Sequence, residues 1–385
     1  MKVENSKPNR RVWARILAAT LAVVMLVLPL VGCSSDCESP DLQPHLISKP
    51  DVDPVRPIDG FETAELSDFT LPLSTAQYRA RVEELYQTVV DLGKKPVFRE
   101  DDPVADIYDA AVEILDRYVL NDWHGDADGE YRKVHTIHDW LVYYVDYDFG
   151  LYEDYRNGAA VDNDPAFDID GVFLNRRAVC NGLSRATAFL CAIEGIRSMR
   201  VTGSFLGILH AWNKVSVGGK WYNIDVTADM ANYTFDRGAT YKKQLTHGYF
   251  MLSDKTYKQF SPNGEQSSAH RFSNSTVETA ADYDYYTGVV SVDDEQYPMT
   301  ITSQKQLNDL FYDIGKLGGS IGKIEVKLSF PNKEANSVNS GDIYAREIRE
   351  AYTHLNSPDF SISDNGSSVP YVRYPNGVYL FLMYF

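Results

Sequence analysis

Cys180, His210 and Asp225 are the residues whose types and spacing could support nucleophilic chemistry. Cys180 begins a stretch in which apolar residues recur at the spacing of one helical face: Leu183, Ala186, Phe189 or Leu190, and Ile193. The pattern predicts a helix that starts at Cys180 and ends before Gly195. A thiol at a helix N-terminus meets the positive end of the helix dipole, which favours the thiolate. Taken alone, however, this stretch favours a core helix with an inert buried cysteine.

A β-hairpin is predicted to position the histidine and the aspartate. Gly218-Gly219 is a strong signal for a two-residue turn between strands at Leu209–Val217 and Lys220–Thr227. Because side chains alternate between the two faces of a strand, His210 and Asp225 then project from one face as diagonal neighbours. A slip of one residue in the pairing would place them on opposite faces.

A histidine held by an aspartate beside such a thiol suits nucleophilic acyl transfer. Cys180 would attack the acyl carbon, His210 would take the thiol proton and return it to the leaving amine, and Asp225 would fix the imidazole tautomer. The oxyanion hole should include the backbone N–H of Cys180, and the sequence assigns no second donor. The alternative left by spacing alone is three ordinary residues in a helix start and a half-exposed hairpin.

Three runs of the sequence resemble the motifs of the transglutaminase-like superfamily, in the same order along the chain: Arg177-Ala178-Val179-Cys180-Asn181-Gly182, Leu209-His210-Ala211-Trp212-Asn213 and Lys220-Trp221-Tyr222-Asn223-Ile224-Asp225-Val226-Thr227. Further stretches are similar to bacterial extracellular members: His138–Leu141, Tyr249–Asp254 and His270. The resemblance covers about residues 130–286. It implies that Cys180, His210 and Asp225 are a catalytic triad on a papain-like α+β fold.

Departures from the family motifs indicate where a substrate cleft would differ. Ala178 replaces the usual glycine before Val179, and Leu183-Ser184 replaces a small-aromatic pattern. We therefore expect Ala178, Leu183 and Ser184 to reshape the rim of the cleft. Trp212 is expected to be a cleft or core aromatic residue.

The chain is predicted to have four regions: a lipoprotein signal peptide (1–32), a flexible tether (33–75), a transglutaminase-like domain with an N-terminal helical segment (76–285), and a C-terminal α/β domain (286–385). Helices are expected at Thr75–Leu92, Asp106–Tyr118 and Glu130–Tyr144, followed by a polar loop at Tyr147–Ala166. The fold class is α+β, a papain/transglutaminase-like core with N-terminal helices.

The C-terminal domain is predicted to be a small α/β unit of ferredoxin-like order. Its pattern reads as alternating elements: strand Met299–Thr302, helix Gln304–Leu317, strand Ile324–Phe330, helix Ile343–Leu355, and strands Asp359–Ser363 and Gly377–Phe385. We see no chemistry in this domain.

The first 32 residues have the character of an export signal. A basic segment precedes an apolar run, Ile16–Gly32, which is short for a membrane-spanning helix. Leu30-Val31-Gly32-Cys33 resembles a bacterial lipobox, which implies cleavage before Cys33 and its lipidation. The prediction is an outward-facing lipoprotein, held on the bacterial cell membrane by its lipid anchor. An uncleaved signal anchor is the alternative.

The acidic composition excludes some partners. The formal net charge of −17 argues against nucleic acid, because phosphate binding needs a basic surface. No cofactor motif is present, and none is expected. Asp162-Asn163-Asp164 and Asp168-Ile169-Asp170-Gly171 fail the spacing of a calcium loop, so we predict no metal. Cys191 is expected to pack in the core.

Two functions from different classes follow. The first is a cysteine peptidase, amidase or amide cross-linking enzyme acting on extracellular or cell-wall peptides or proteins. The second is a non-catalytic surface module that binds peptides or proteins with an idle triad. Three other histidines receive structural interpretations: His135 and His138 as packing or polar-face residues, and His247 with no visible partner.

Overall fold

A computed structural model describes residues 57–119, 127–161, 163–205, 208–231, 247–259, 270–272, 277, 279, 289–292, 295–298, 300–317, 321–331, 344–355, 371–373 and 378–381. The predicted signal peptide, its lipidation site Cys33 and most of the predicted tether lie outside these residues. Within the described segments, no helix has the length and apolar character needed to cross a membrane.

The elements follow in chain order. The α-helices are α1 (Thr75–Tyr86), α2 (Ala105–Tyr118), α3 (Ala127–Tyr144), α4 (Phe149–Arg156), α5 (Ile169–Asn175), α6 (Cys180–Ile193), α7 (Val226–Ala231), α8 (Asp254–Gln259), α9 (Gln304–Leu317) and α10 (Ala345–Tyr352). The strands are β1 (Thr63–Glu65), β2 (Lys95–Val97), β3 (Asp146–Tyr147), β4 (Arg177–Ala178), β5 (Ser198–Phe205), β6 (Ile208–Val217), β7 (Lys220–Ile224), β8 (His270–Phe272), β9 (Val289–Val292), β10 (Glu295–Pro298), β11 (Thr300–Ile301), β12 (Ile321–Leu328), β13 (Tyr371–Arg373) and β14 (Val378–Phe381).

Helix α6 is the central element of the main core. It packs against β5 and β6 and against helices α3 and α5. Because most of its side chains are apolar or small, the helix is buried on nearly every face. Gly182 is needed where the chain before α5 crosses it, since a Cβ there would lie 2.5 Å from the carbonyl oxygen of Ala166. Cys191 is buried as predicted, and burial raises the pKa of its thiol to about 12.

The predicted hairpin is confirmed. Strands β7, β6, β5 and β8 form an antiparallel sheet in that order, and Val217 pairs with Lys220 across the turn. Gly218 and Gly219 both have positive φ, 57° and 74°, which suits the right-handed twist of a two-residue hairpin. The second strand ends at Ile224, however, earlier than expected, because the chain turns into α7 directly after Asp225.

Two segments predicted to be irregular are ordered. The tether was expected to reach residue 75, but Ile58 is fully buried and β1 pairs in parallel with β2. The prediction of a polar loop at 147–166 is also wrong, because this segment contains α4 and part of β3. Asp148 begins α4 by accepting the backbone N–H of Leu151, a capping pattern hidden within a polar stretch.

The C-terminal elements form a second core. Helices α9 and α10 pack together, and the sheet runs β10-β9-β12-β14-β13, with β11 also paired to β12. A ferredoxin-like unit has the order βαββαβ. The described elements from β11 onward run βαβαββ, which is the order of strands and helices that the sequence predicted. The ferredoxin-like label is wrong, however, because this order differs from βαββαβ and β11 pairs directly with β12. The predicted strand at 359–363 lies outside the described residues.

A buried chain of imidazoles and carboxylates links the two cores. His138 lies 3.1 Å (Nδ1) from Asp139 and 3.0 Å (Nε2) from Asp229. His247 lies 2.7 Å (Nε2) from Asp139 and 3.1 Å (Nδ1) from Glu325 of β12. The expectation that His247 lacks a partner was therefore wrong, because both of its nitrogens face carboxylates.

Charge partners decide the protonation of His138. Burial alone would lower its pKa, but the hydrogen bonds and charges of Asp139 and Asp229 raise it to about 9. The imidazolium thus neutralises carboxylates that could not otherwise be buried without large cost. Asp229 follows the candidate catalytic Asp225 by one helical turn. The buried network of imidazoles and carboxylates therefore also fixes the start of α7.

We expect the protein to lose folding stability at alkaline pH as His138 loses its proton. Its folded pKa lies above its unfolded value of about 6.5, so its contribution is complete below pH 6.5 and is lost as the pH rises through 9. Urea unfolding of the wild type should lose about 2–3 kcal/mol of stability between pH 6.5 and 10 through this group. The matched variant is His138→Gln, which keeps a polar side chain and cannot titrate. A difference between wild type and variant that stays flat over this range would contradict the assignment.

Candidate active site

Cys180 is the first residue of α6. Val179 precedes it without a side-chain cap, so the first-turn N–H groups are not satisfied by the preceding side chain. Asn181 anchors the turn by donating a 2.6 Å hydrogen bond to the carbonyl of Phe167. Cys180 is partly exposed, whereas Cys191 on the same helix is buried.

The structure brings the three predicted site residues together. His210 on β6 lies 2.8 Å (Nε2) from Asp225 Oδ2. A second hydrogen bond joins His210 to the thiol of Cys180, and the backbone N–H of Ala211 also donates to the sulfur. With Nε2 directed at the aspartate, Nδ1 is the imidazole nitrogen left for the thiol. The imidazole therefore bridges a nucleophile and a carboxylate.

Asp225 is held by groups besides the histidine. Its Oδ2 accepts a 2.9 Å hydrogen bond from the Tyr257 hydroxyl, and its Oδ1 accepts the N–H of Ala228 at 3.0 Å. The carboxylate is 1% exposed, so these donors replace water. Sequence reasoning missed Tyr257, which lies on α8 just beyond the Tyr249–Asp254 stretch that resembles the family.

Aromatic rings enclose the imidazole. Trp212 stacks on His210 with ring centroids 5.8 Å apart and an interplanar angle of 20°. The Trp212 indole N–H donates to Asn223 Oδ1 at 3.2 Å, which fixes the ring. The Phe205 ring centroid lies 5.6 Å from that of the imidazole. Trp212 is 1% exposed, so of its two predicted roles the structure supports the core one.

Electrostatics favour an ion pair between the thiol and the imidazole. Burial raises the pKa of Cys180, but the hydrogen bond and charge of His210 and the N–H of Ala211 outweigh it and lower the pKa. Burial would lower the pKa of His210, but the charge and hydrogen bond of Asp225 and the nearby sulfur raise it to about 10. These two opposite shifts favour the thiolate–imidazolium form of the pair over the neutral form.

Tyr147 is a site residue that the sequence did not reveal. Its hydroxyl oxygen accepts the backbone N–H of Cys180. The residue lies on β3, in the stretch predicted to be a polar loop, so no periodic pattern pointed to it. Tyr147 thus meets the one oxyanion-hole donor that the sequence had assigned.

The residues predicted to shape the cleft rim lie inside the protein. Ala178, Leu183 and Ser184 are at most 3% exposed. Leu183 belongs to the main hydrophobic core, and the Ser184 carbonyl accepts the Asn213 side-chain amide at 2.9 Å. The rim prediction is wrong for these side chains, because they lie on the faces of β4 and α6 that pack inward.

One cluster contains residue types that bind metals. Nitrogen and carboxylate atoms of His135, Asp139 and His247 lie within 4.8 Å of one another. The His135 and His247 rings, however, are stacked with centroids 4.6 Å apart and planes within 13°. A coordinated ion lies close to the plane of each imidazole, and two stacked planes do not share such a point. The cluster fits a hydrogen-bonded network of imidazoles and carboxylates rather than a metal centre.

A family model matches part of the chain. Residues 118–226 match the family model of the transglutaminase-like superfamily, and this segment includes Cys180, His210 and Asp225. No curated protein matches the chain.

Two solved structures are similar over part of their length. One is described as a TGase, with 18% identity and a TM-score of 0.29 over 45% of this chain and 42% of that one. The other is a candidate cysteine protease from Cytophaga hutchinsonii, with 20% identity and a TM-score of 0.24 over 31% and 37%. The chain spans less than half the length of each.

The ion pair predicts a reactive Cys180 thiol near neutral pH. Iodoacetamide should alkylate Cys180 at pH 7, because its pKa lies below that of a free thiol. In His210→Ala, the inflection in a plot of alkylation rate against pH should move to higher pH. Alkylation at pH 7 should slow roughly tenfold for each unit by which the pKa of the Cys180 thiol rises. Mass spectrometry of the peptide that contains Cys180 gives the rate, and buried Cys191 serves as an unreactive internal control. Equal rates in wild type and variant would rule out the activated pair.

Proposed function

We propose that this chain, whose residues 118–226 form a transglutaminase-like domain, is a cysteine enzyme that transfers acyl groups from peptide amides. The observation that carries the proposal is the position of His210, which is hydrogen-bonded to Asp225 on one side and to the Cys180 thiol on the other. Neither contact is needed to close the hairpin, and together they set up a nucleophile, a base and the group that orients the base.

Acylation uses the ion pair directly. The Cys180 thiolate attacks the carbonyl carbon of the amide, a C–S bond forms, and the carbonyl electron pair moves to oxygen. The Cys180 N–H then donates to that oxyanion. As the tetrahedral intermediate collapses, imidazolium His210 gives its proton to the nitrogen, the C–N bond breaks, and an amine leaves. The products of this step are a thioester and a neutral imidazole.

Deacylation restores the starting state. Water or a second amine attacks the thioester carbon, and neutral His210 takes a proton from the attacking atom. The C–S bond breaks with the electron pair on sulfur, which regenerates the thiolate and the imidazolium. Water as acceptor gives a peptidase or amidase, and a lysine amine gives an amide cross-link. The residues of the triad serve both outcomes.

The substrate should be an extracellular peptide or protein, including the peptides of a bacterial cell wall. Support for this part of the proposal comes from the sequence: the lipobox-like Leu30-Val31-Gly32-Cys33 and the apolar run before it. A lipid on Cys33 would hold the domain on the outer side of the cell membrane.

Substitution of the lipidation site tests the location. When Cys33→Ala is expressed in a bacterium, the protein should no longer be found in the detergent-extracted membrane fraction. Its N-terminal peptide should also lack the mass of the attached lipid. Cys37→Ala, four residues further on, is the matched control and should keep the lipid. Identical masses of the N-terminal peptide, apart from the substitution itself, in wild type and Cys33→Ala would disprove lipid attachment at this residue.

Product analysis tests the reaction. The full chain is incubated with peptides that contain glutamine and lysine and with cell-wall stem peptides, and products are identified by mass spectrometry. We expect cleaved or cross-linked peptides that disappear in Cys180→Ala and persist in Cys191→Ala. Cleavage would identify water as the acceptor, and release of ammonia with joined peptides would identify an amine.

The same experiment tests the alternative function. Peptide binding without any product, at equal affinity in wild type and Cys180→Ala, would show that the proposed activity is wrong. That result would favour a surface binding module in which the triad is idle.

A further inference from the structure

Strand pairing brings Tyr147 to the nucleophile. β3 and β4 run parallel, with Tyr147 in register with Ala178, two residues before Cys180. The backbone N–H of Asp148 donates to the Ala178 carbonyl at 2.9 Å, which closes the pairing on the side toward the helix. The position of Tyr147 relative to the start of α6 is thus fixed by the backbone.

The Tyr147 ring is held by neighbouring aromatic rings. Its centroid lies 4.6 Å from that of Phe149 and 6.2 Å from that of Tyr152. It also contacts the small apolar cluster that contains Val179. Contacts on several sides restrict the ring to a narrow range of orientations, so the hydroxyl is positioned before any substrate arrives.

The hydroxyl meets the reacting atoms of Cys180. It accepts the Cys180 N–H and lies close enough to the thiolate to feel its charge. A phenol has one proton to donate as well as lone pairs that accept. When a carbonyl oxygen takes over the Cys180 N–H, the phenolic O–H is left beside that oxygen as a donor.

We propose that the Tyr147 hydroxyl is the second donor of the oxyanion hole, beside the backbone N–H of Cys180; this rests on the proposed acyl-transfer function. The tetrahedral intermediate then receives two hydrogen bonds on its oxyanion, one from the nucleophile's own N–H and one from β3. No proton is transferred to the oxyanion, and the O–H bond of Tyr147 stays intact throughout. Tyr147 is thereby assigned as a catalytic residue.

Protonation of the phenol suits this role. Burial and the adjacent Cys180 thiolate both raise the pKa of Tyr147 above that of an ordinary tyrosine. The group therefore remains a neutral donor over the pH range in which the thiolate and the imidazolium coexist.

Tyr152 provides a matched control. It lies in the same aromatic cluster and also feels the charge of Cys180, but no hydrogen bond joins it to the Cys180 N–H. Tyr152→Phe removes the same atom as Tyr147→Phe from the same surroundings. A difference between the two variants reports on the position of the hydroxyl rather than on packing.

Two electrophiles separate the oxyanion from the thiolate. Acylation by p-nitrophenyl acetate passes through a tetrahedral oxyanion, whereas alkylation by iodoacetamide displaces iodide without one. In the full chain, Tyr147→Phe should slow acylation of Cys180 by about 100-fold, the effect typical of losing one oxyanion donor. Alkylation at the same pH should change less than twofold, and Tyr152→Phe should leave both rates close to wild type.

Each other outcome overturns the assignment. Acylation that is unchanged in Tyr147→Phe would show that the hydroxyl does not stabilise the tetrahedral intermediate. Faster acylation would show that the hydroxyl occupies the oxyanion hole and excludes the substrate oxygen. Equal losses of acylation and alkylation would mean that Tyr147 acts on the thiolate. These results leave the proposed function standing, whereas a wild type that is acylated no faster than Cys180→Ala refutes the proposed function itself.

Discussion

The hydrogen bond between His210 Nε2 and Asp225 Oδ2 is the interaction on which the site depends. An aspartate that is 1% exposed is stable as an anion only with donors around it, and the imidazolium supplies charge as well as a hydrogen bond. The same charge lowers the pKa of the Cys180 thiol. The buried Asp225 carboxylate therefore influences the protonation of both His210 and Cys180, because its charge is compensated by the imidazolium rather than by water.

The surroundings of Asp225 are built to keep that carboxylate in place. The Tyr257 hydroxyl and the N–H of Ala228 also donate hydrogen bonds to it. One turn further along, Asp229 accepts both His138 and the backbone N–H of Tyr249. The start of α7 is thus held at two carboxylates: Asp225 of the candidate triad and Asp229 of the buried imidazole–carboxylate network. The second is continuous, through Asp139 and His247, with Glu325 in the C-terminal sheet.

This continuity gives the C-terminal unit a structural role. It has its own hydrophobic core, but Val378 packs in the main core and Glu325 lies 3.1 Å (Oε2) from His247 Nδ1. A buried polar group that loses its hydrogen-bond partner is costly, so the two units stabilise each other at this junction.

Local pattern in the sequence determined the parts of the structure that depend on near neighbours. The Gly218-Gly219 turn fixed the register of the hairpin, and strand parity then placed His210 and Asp225 on one face. The helical spacing after Cys180 predicted α6, and the three motifs indicated the family. Each of these inferences uses a spacing that the backbone geometry of one helix or one hairpin imposes.

Only the tertiary structure decided which distant side chains complete the site. Tyr257 is 32 residues from Asp225, and Tyr147 reaches Cys180 through a two-residue strand that carries no periodic signal. Ala178, Leu183 and Ser184 appeared as rim residues because they depart from the family pattern, but packing turns them inward. Contacts such as these depend on how separate elements pack, which no local spacing encodes.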